Sequence, residues 1–300
     1  MKLSVTISGL TRLFGNDLAA VIDVARAVDE AGVDQLVLPD HVVMGTRLDR
    51  YPFGRFPFGP EEPWLEPMTA LAAFAGATER VRLSTGVVIA PLRPAVLLAK
   101  TAATLDVLSR GRLDLGVGTG WQREEYEASG VPFGDRAARM DDGVRACQAL
   151  WIQDPPVSFS SPTVAFTDMW CEPRPLQPGG VPVWFGGGAN EATARRVAEL
   201  GAGWLPIGVM PDDELAQGIA HIRVACAAIG RDPATVGVRA GLAIATTDDG
   251  GVDLDRTMAR VPALRDLGVT VLSVTPARSV RAPGEIAPFL ASVRAALADA

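Results

Sequence analysis

The chain has 300 residues, 48% of them hydrophobic, and its 28 Lys plus Arg against 35 Asp plus Glu leave a net charge of −7. A chain this long buries about three quarters of its extended surface, so residues 1–300 are expected to form a single domain without covalent staples. The acidic balance argues against a general nucleic-acid binder. No apolar run approaches the roughly 20 residues of a membrane span, and three scattered cysteines with two histidines suit neither a disulfide framework nor a zinc site.

The chain opens on a strand. It lacks the apolar core and small-residue cleavage site of a signal peptide, so a cytoplasmic protein is expected. After the apolar run Leu3 to Ile7, the spacing of Leu18, Val21, Ile22, Ala25 and Val28 predicts a helix over 16–31, which Gly32 stops. The rhythm then repeats: strand 35–38 and helix 67–77, strand 81–88 and helix 95–108, strand 113–117 and helix 136–151. Four more pairs follow, at 183–185 with 191–200, 203–206 with 213–229, 236–244 with 253–267, and 269–274 with 283–298.

About eight strand-helix units in 300 residues is the arithmetic of an α/β protein of the (β/α)8 TIM-barrel type. A doubly wound nucleotide fold fits less well, because the first turn, Ser8-Gly9-Leu10-Thr11-Arg12, has no G-x-G-x-x-G. Two long insertions, over 39–66 after the second strand and over 152–180 after the fourth, are where function is to be sought.

Catalytic residues of such barrels follow the strands. Asp40 and His41 follow the second, Gly86, Val87 and Ile89 the third, Trp121 and Glu124 the fourth, and Gly186, Gly187, Gly188 and Ala189 the fifth. His41 beside an acid is either a proton donor and acceptor or a packed loop histidine. Mid-helix His221 reads as structural. The glycine triplet either leaves bare N–H groups for a phosphate at a helix N-terminus or only permits a tight turn. Trp121 either walls a flat ring or caps the core. The Gly116 to Trp121 run fits neither a Walker loop nor a dinucleotide fingerprint. Asp40 with Glu124 is the one pair available for glycoside hydrolysis. There is no G-x-S-x-G elbow and no lysine at a late strand end for a Schiff base.

Three stretches carry a family resemblance: Arg80 to Val88 with Pro91 to Ala95, Ala99 to Arg112 with Leu115 to Trp121, and Pro182 to Gly187 with Arg195 to Ala198 and Gly203 to Pro206. Together they resemble the bacterial luciferase-like superfamily, and most closely its branch dependent on the deazaflavin coenzyme F420. The resemblance implies a TIM barrel binding F420 or FMN at its C-terminal mouth, with Asp40-His41 beside the reactive ring. It also implies a bulge at Gly86-Val87 and a phosphate-holding turn at Gly186 to Ala189. Trp121 and Glu124 depart from the sugar-phosphate dehydrogenases of that branch, which carry Glu and Asn there, and no lysine is placed to grip a sugar phosphate.

The implied activity is hydride transfer between the deazaflavin and a small-molecule substrate, with Phe53, Phe56, Phe58 and Trp64 lining the pocket and Arg47, Arg50, Arg55 and Arg93 along the acidic cofactor tail. An FMN-dependent monooxygenase and a barrel that binds cofactor without turnover are the alternatives. A homodimer is the default symmetric assembly.

Overall fold

The computed structural model describes residues 1–300. Along the chain the strands are β1 (Lys2–Thr6), β2 (Gln35–Leu38), β3 (Arg82–Thr85), β4 (Val88–Ile89), β5 (Leu113–Gly118), β6 (Val157–Ser160), β7 (Ala165–Met169), β8 (Val183–Gly186), β9 (Gly203–Leu205), β10 (Gly237–Gly241), β11 (Ala245–Thr246), β12 (Val252–Asp253) and β13 (Val271–Val274). The helices are α1 (Leu10–Phe14), α2 (Val21–Glu30), α3 (Pro67–Ala77), α4 (Ala95–Leu108), α5 (Arg123–Ala128), α6 (Arg136–Ile152), α7 (Glu191–Leu200), α8 (Asp212–Ala228), α9 (Leu254–Met258), α10 (Val261–Leu267) and α11 (Ile286–Asp299).

The parallel strands run in the order β3-β2-β1-β13-β10-β9-β8-β5, and β3 also pairs with β5 through Leu83↔Leu113 and Ser84↔Asp114. That last pairing closes the sheet into an eight-stranded barrel. Every residue of β2 and β5 is buried, as a parallel strand covered on both faces requires. The third barrel strand is interrupted: β3 stops at Thr85, the Gly86–Val87 peptide is cis, and β4 resumes against β5 at Val88↔Val117.

Charged side chains bridge the barrel's interior. Asp114 accepts from Gln35 Nε2 at 2.7 Å and from Nε and Nη2 of Arg82 at 2.9 and 2.6 Å. Arg239, on β10, reaches across to Gln35 Oε1 at 2.8 Å and Ser84 Oγ at 3.3 Å.

Several boundaries differ from the sequence reading. The helix expected over 16–31 begins at Val21, after a 3-10 turn at Leu18–Ala20. The one expected over 253–267 is two, α9 and α10, with a proline in the first turn of the second. The six-residue α5 and the antiparallel β6–β7 hairpin are elements the sequence periodicity does not mark.

The second long segment, 152–180, is not at the mouth. It follows α6, so it lies where strands begin: Gln177 bonds to the carbonyl of Leu113 and to Asp106, each at 2.7 Å, and accepts from Arg82 at 2.9 Å. An insertion after a helix emerges at the end of the barrel opposite the catalytic loops.

No helix is long and apolar enough to cross a membrane.

The joint between α2 and β3 rests on one carboxylate. Asp29 accepts the N–H groups of Val81, Arg80 and Glu79 at 2.6, 2.9 and 3.1 Å. Burial would raise its pKa, and these backbone donors outweigh burial and bring it below the ordinary aspartate value of 3.8. Its contribution to stability is therefore complete above the unfolded-state value and disappears as pH falls through the lower folded-state value. Acid unfolding monitored by circular dichroism is expected to show a shallower decline below about pH 4 in Asp29→Asn, which is also less stable at neutral pH.

Candidate active site

The C-terminal mouth is covered by the 39–66 segment, and the turn and short helix after β5 stitch it down. Glu125, fully buried on α5, accepts the Val42 N–H at 2.6 Å and meets His41 Nδ1 at 3.1 Å. With Glu125 ionised, the hydrogen sits on Nδ1 and Nε2 is left for other partners. Gln122 bonds both backbone groups of Gly45, at 2.7 and 3.2 Å. Glu124 takes Arg50 at 2.8 Å.

His41 is boxed by aromatic edges. Its ring centroid lies 4.8 Å from Trp64, 5.9 Å from Phe56 and 6.2 Å from Trp121. Phe58 joins through Trp64 at 5.4 Å, and Tyr51 packs on Phe56 and Trp121 at 5.1 and 5.2 Å. Among the aromatic rings Phe53 pairs with Tyr51, and it is half exposed. The indole N–H groups of Trp64 and Trp121 are buried with no acceptor in the chain, an unfavourable state for a polar donor unless a ligand satisfies it.

Asp40 faces away from this box. Its carboxylate is fully enclosed, accepting the Ile89 N–H at 2.8 Å and two Arg93 donors at 2.6 and 3.1 Å. Asp40 thereby holds the resumed strand β4 in place. Burial works against the charge on Arg93, and its bonds to Asp40 and Glu66 outweigh that, so its pKa is raised.

The glycines around the bulge have a packing role that the sequence did not disclose. A Cβ on Gly118 would lie 2.6 Å from Val87 Cγ2, and one on Gly186 would lie 2.6 Å from Val87 Cγ1. Gly116 similarly clears the Thr85 carbonyl, which a Cβ would meet at 2.1 Å. The Gly116 to Gly120 run is thus where neighbouring strands admit the bulged one, which explains its misfit to nucleotide motifs. Gly187 packs against Thr193, while a Cβ on Gly188 would make only an ordinary contact, 3.4 Å from Asn190. The N–H groups of Gly188 and Ala189 donate to no protein acceptor, and α7 follows immediately, capped by Asn190 on Thr193 at 2.9 Å. Bare N–H groups before a ten-residue helix can hold a phosphate.

Of the four arginines expected along a cofactor tail, Arg47, Arg50 and Arg93 are each paired with a carboxylate of the chain, Asp49, Glu124 and Asp40. Arg55 has no acidic partner. Asp40 and Glu124 are both engaged in these pairs, which leaves them no role as the acid and base of glycoside hydrolysis. His221 lies on α8, outside the barrel. Glu125 and Gln122 escaped the sequence reading; the signal available was an acidic pair opening a short helix directly after a strand.

A closed eight-stranded parallel barrel with His41, packed aromatic rings and the Gly186 to Ala189 turn at its C-terminal mouth defines a TIM-barrel protein. The luciferase-like monooxygenase pattern matches residues 3–259, and the chain belongs to that family, whose members are flavin- or F420-dependent oxidoreductases and monooxygenases. A Mycobacterium tuberculosis protein of uncharacterized activity is 34% identical over 168 residues, 56% of this chain and 58% of that relative, so the match spans little more than half of its length. The FMNH2-dependent dimethylsulfone monooxygenase of Pseudomonas putida is 34% identical over 142 residues, 46% of this chain and 38% of the relative.

Two solved structures share the fold over nearly the whole of both chains. Monooxygenase RslO1 from Streptomyces bottropensis superposes with a TM-score of 0.79 at 21% identity, covering 97% of this chain and 96% of its own. An F420-dependent secondary alcohol dehydrogenase superposes with a TM-score of 0.78 at 16% identity, covering 99% of each.

Packing at Val87 is directly testable by denaturation. Gly186→Ala is expected to cost about 1–3 kcal/mol through overpacking. Combining it with Val87→Ala should give a protein more stable than the sum of the two single losses predicts, and Gly188→Ala should leave stability unchanged.

Proposed function

We propose that the protein is an F420-dependent oxidoreductase that moves a hydride between C5 of the deazaflavin and a small organic substrate. The observation that carries this reading is the His41–Glu125 pair enclosed by Phe56, Trp64 and Trp121 at the barrel mouth. The residues present suit such a cofactor: two buried indole donors lack acceptors, and Gly188 and Ala189 offer free N–H groups before α7. When bound, the deazaflavin supplies the hydride chemistry itself.

The chain's share is to bind, orient and dry the site. Gly188 and Ala189 hold a phosphate, and Val87 with Ile89 forms the apolar base beside Gly86. Trp64, Phe56, Phe58 and Trp121 exclude water from the reacting carbon. His41 moves the accompanying proton through Nε2, while Glu125 fixes the tautomer and balances the imidazolium. Asp40 is a positioning residue, acting through Ile89 and Arg93.

A second reading, an FMN-dependent monooxygenase, draws on a specific observation. Three of the four arginines expected to meet F420's acidic tail are neutralised within the chain, whereas FMN carries a single phosphate.

Fluorescence titration with F420 and with FMN at two salt concentrations separates the two readings. Micromolar or tighter F420 binding with little FMN affinity is expected; the reverse order overturns the deazaflavin reading and directs attention to oxygen consumption. Against a panel of alcohols, enones and imines, His41→Ala is expected to lower turnover by about 10²–10⁴-fold while cofactor affinity is retained. Turnover unchanged within about twofold would remove His41 from proton transfer.

A further inference from the structure

We propose that Arg93 is a positioning residue that clasps the two ends of the 39–66 segment together and so holds His41 and Trp64 in place against each other. The kinetic part of the inference rests on the reading above in which His41 moves the proton; the clasp itself does not.

The stems of the segment carry Asp40 and Glu66, and one guanidinium bonds both. Arg93 Nη1 donates to Asp40 Oδ2 at 2.6 Å, while Nη2 donates to Asp40 Oδ1 at 3.1 Å and to Glu66 Oε1 at 2.9 Å. Backbone fixes each carboxylate from its other side: Asp40 Oδ2 accepts the Ile89 N–H at 2.8 Å, and Glu66 Oε2 accepts the Thr69 N–H at 2.7 Å as the N-cap of α3. Arg93 itself stands between the resumed strand β4 and α4, where Nη1 also approaches the Ile89 carbonyl at 3.4 Å. The stems bear the two rings that meet at 4.8 Å, since His41 directly follows Asp40 and Trp64 stands just before Leu65 and Glu66.

Satisfying Asp40 alone does not call for Glu66. The Asp40 side chain is fully buried and requires a partner for its charge, whereas that of Glu66 is 47% exposed and water can serve it. Its approach to the same guanidinium is what joins stem to stem. A planar fork of five donors bonds two carboxylates at fixed angles, which the point charge of a lysine on its flexible chain does not reproduce. The bonds from Gln122, Glu124 and Glu125 hold the first part of the segment, at Gly45, Arg50 and His41 with Val42. Beyond Arg50, the side-chain bonds that tie the segment to the rest of the barrel are the Thr11 N–H to Glu62, at 3.3 Å, and Arg93 to Glu66. The Trp64 side of the box therefore depends on Arg93.

The test combines limited trypsin digestion, read by mass spectrometry at Arg47, Arg50 and Arg55 against sites outside the segment, with steady-state kinetics. The proteins are wild type, Arg93→Lys, Arg93→Met, His41→Ala and the Arg93→Met/His41→Ala double variant. Arg93→Met is expected to be cut within the segment about tenfold faster with cleavage elsewhere unchanged, because cleavage follows the population of the opened form. Its kcat should fall by about 10²-fold through misplacement of the reacting groups, with Arg93→Lys in between. In the His41→Ala background the same substitution should lower kcat by less than about twofold, since a residue that acts through His41 then has nothing to position. Cleavage at the wild-type rate in Arg93→Met, or losses at Arg93 and His41 that multiply, overturns the inference in favour of an arginine that only neutralises Asp40. If Arg93→Met does not fold, Glu66→Gln decides: it keeps the buried pair and is expected to speed cleavage after Arg55 by about threefold, and an unchanged rate overturns the proposal. A wild type that turns over no substrate with either cofactor overturns the functional reading, a result distinct from failure of the clasp, which the digestion decides by itself.

Discussion

The architecture of the mouth depends on where the side chain of Val87 goes. The third barrel strand breaks at Gly86–Val87, and Val87 enters space that Gly118 and Gly186 leave open on the two neighbouring strands. Any side chain at either glycine would collide with a β-branched residue whose rotamers are few. Asp40 completes the arrangement from the second strand by accepting the Ile89 N–H, two residues beyond Val87, and by anchoring Arg93 a few residues later. Four strands thus contribute to one irregularity, and the residues proposed to touch cofactor are arranged around it.

Over this base the 39–66 segment is held by polar bonds that start on the strand-five side. Gln122, Glu124 and Glu125 each reach a different point of the segment, at Gly45, Arg50 and His41 with Val42. The bonds from Gln122 and Glu125 are partly buried and costly to leave unmade, so they select one conformation of a long connection that has little regular structure. The aromatic residues then pack on one another and on His41 over the scaffold so formed.

The lower barrel is organised differently. Many barrels fill this volume with layers of branched aliphatic side chains; here Gln35, Ser84, Arg82, Asp114 and Arg239 form a connected polar network. Such a network is tolerable only because its members find partners.

By itself the sequence determined the barrel, because alternating apolar runs and amphipathic stretches are local patterns: helices 67–77, 95–108 and 191–200 fall where periodicity and breakers place them. It also brought His41, Trp121 and the Gly186 to Ala189 turn to one end, since strand termini in a parallel barrel share a face. What only the tertiary structure decided were relations between distant segments. The partnership of His41 with Glu125 spans 84 positions and that of Arg239 with Gln35 spans 204, and no periodic pattern encodes such pairings. The same holds for the glycines that proved to accommodate Val87, and for the 152–180 segment, whose place at the far end follows from chain direction after α6. Local propensity reads one element at a time, whereas ion pairing, close approach and burial depend on which elements the closed sheet makes neighbours.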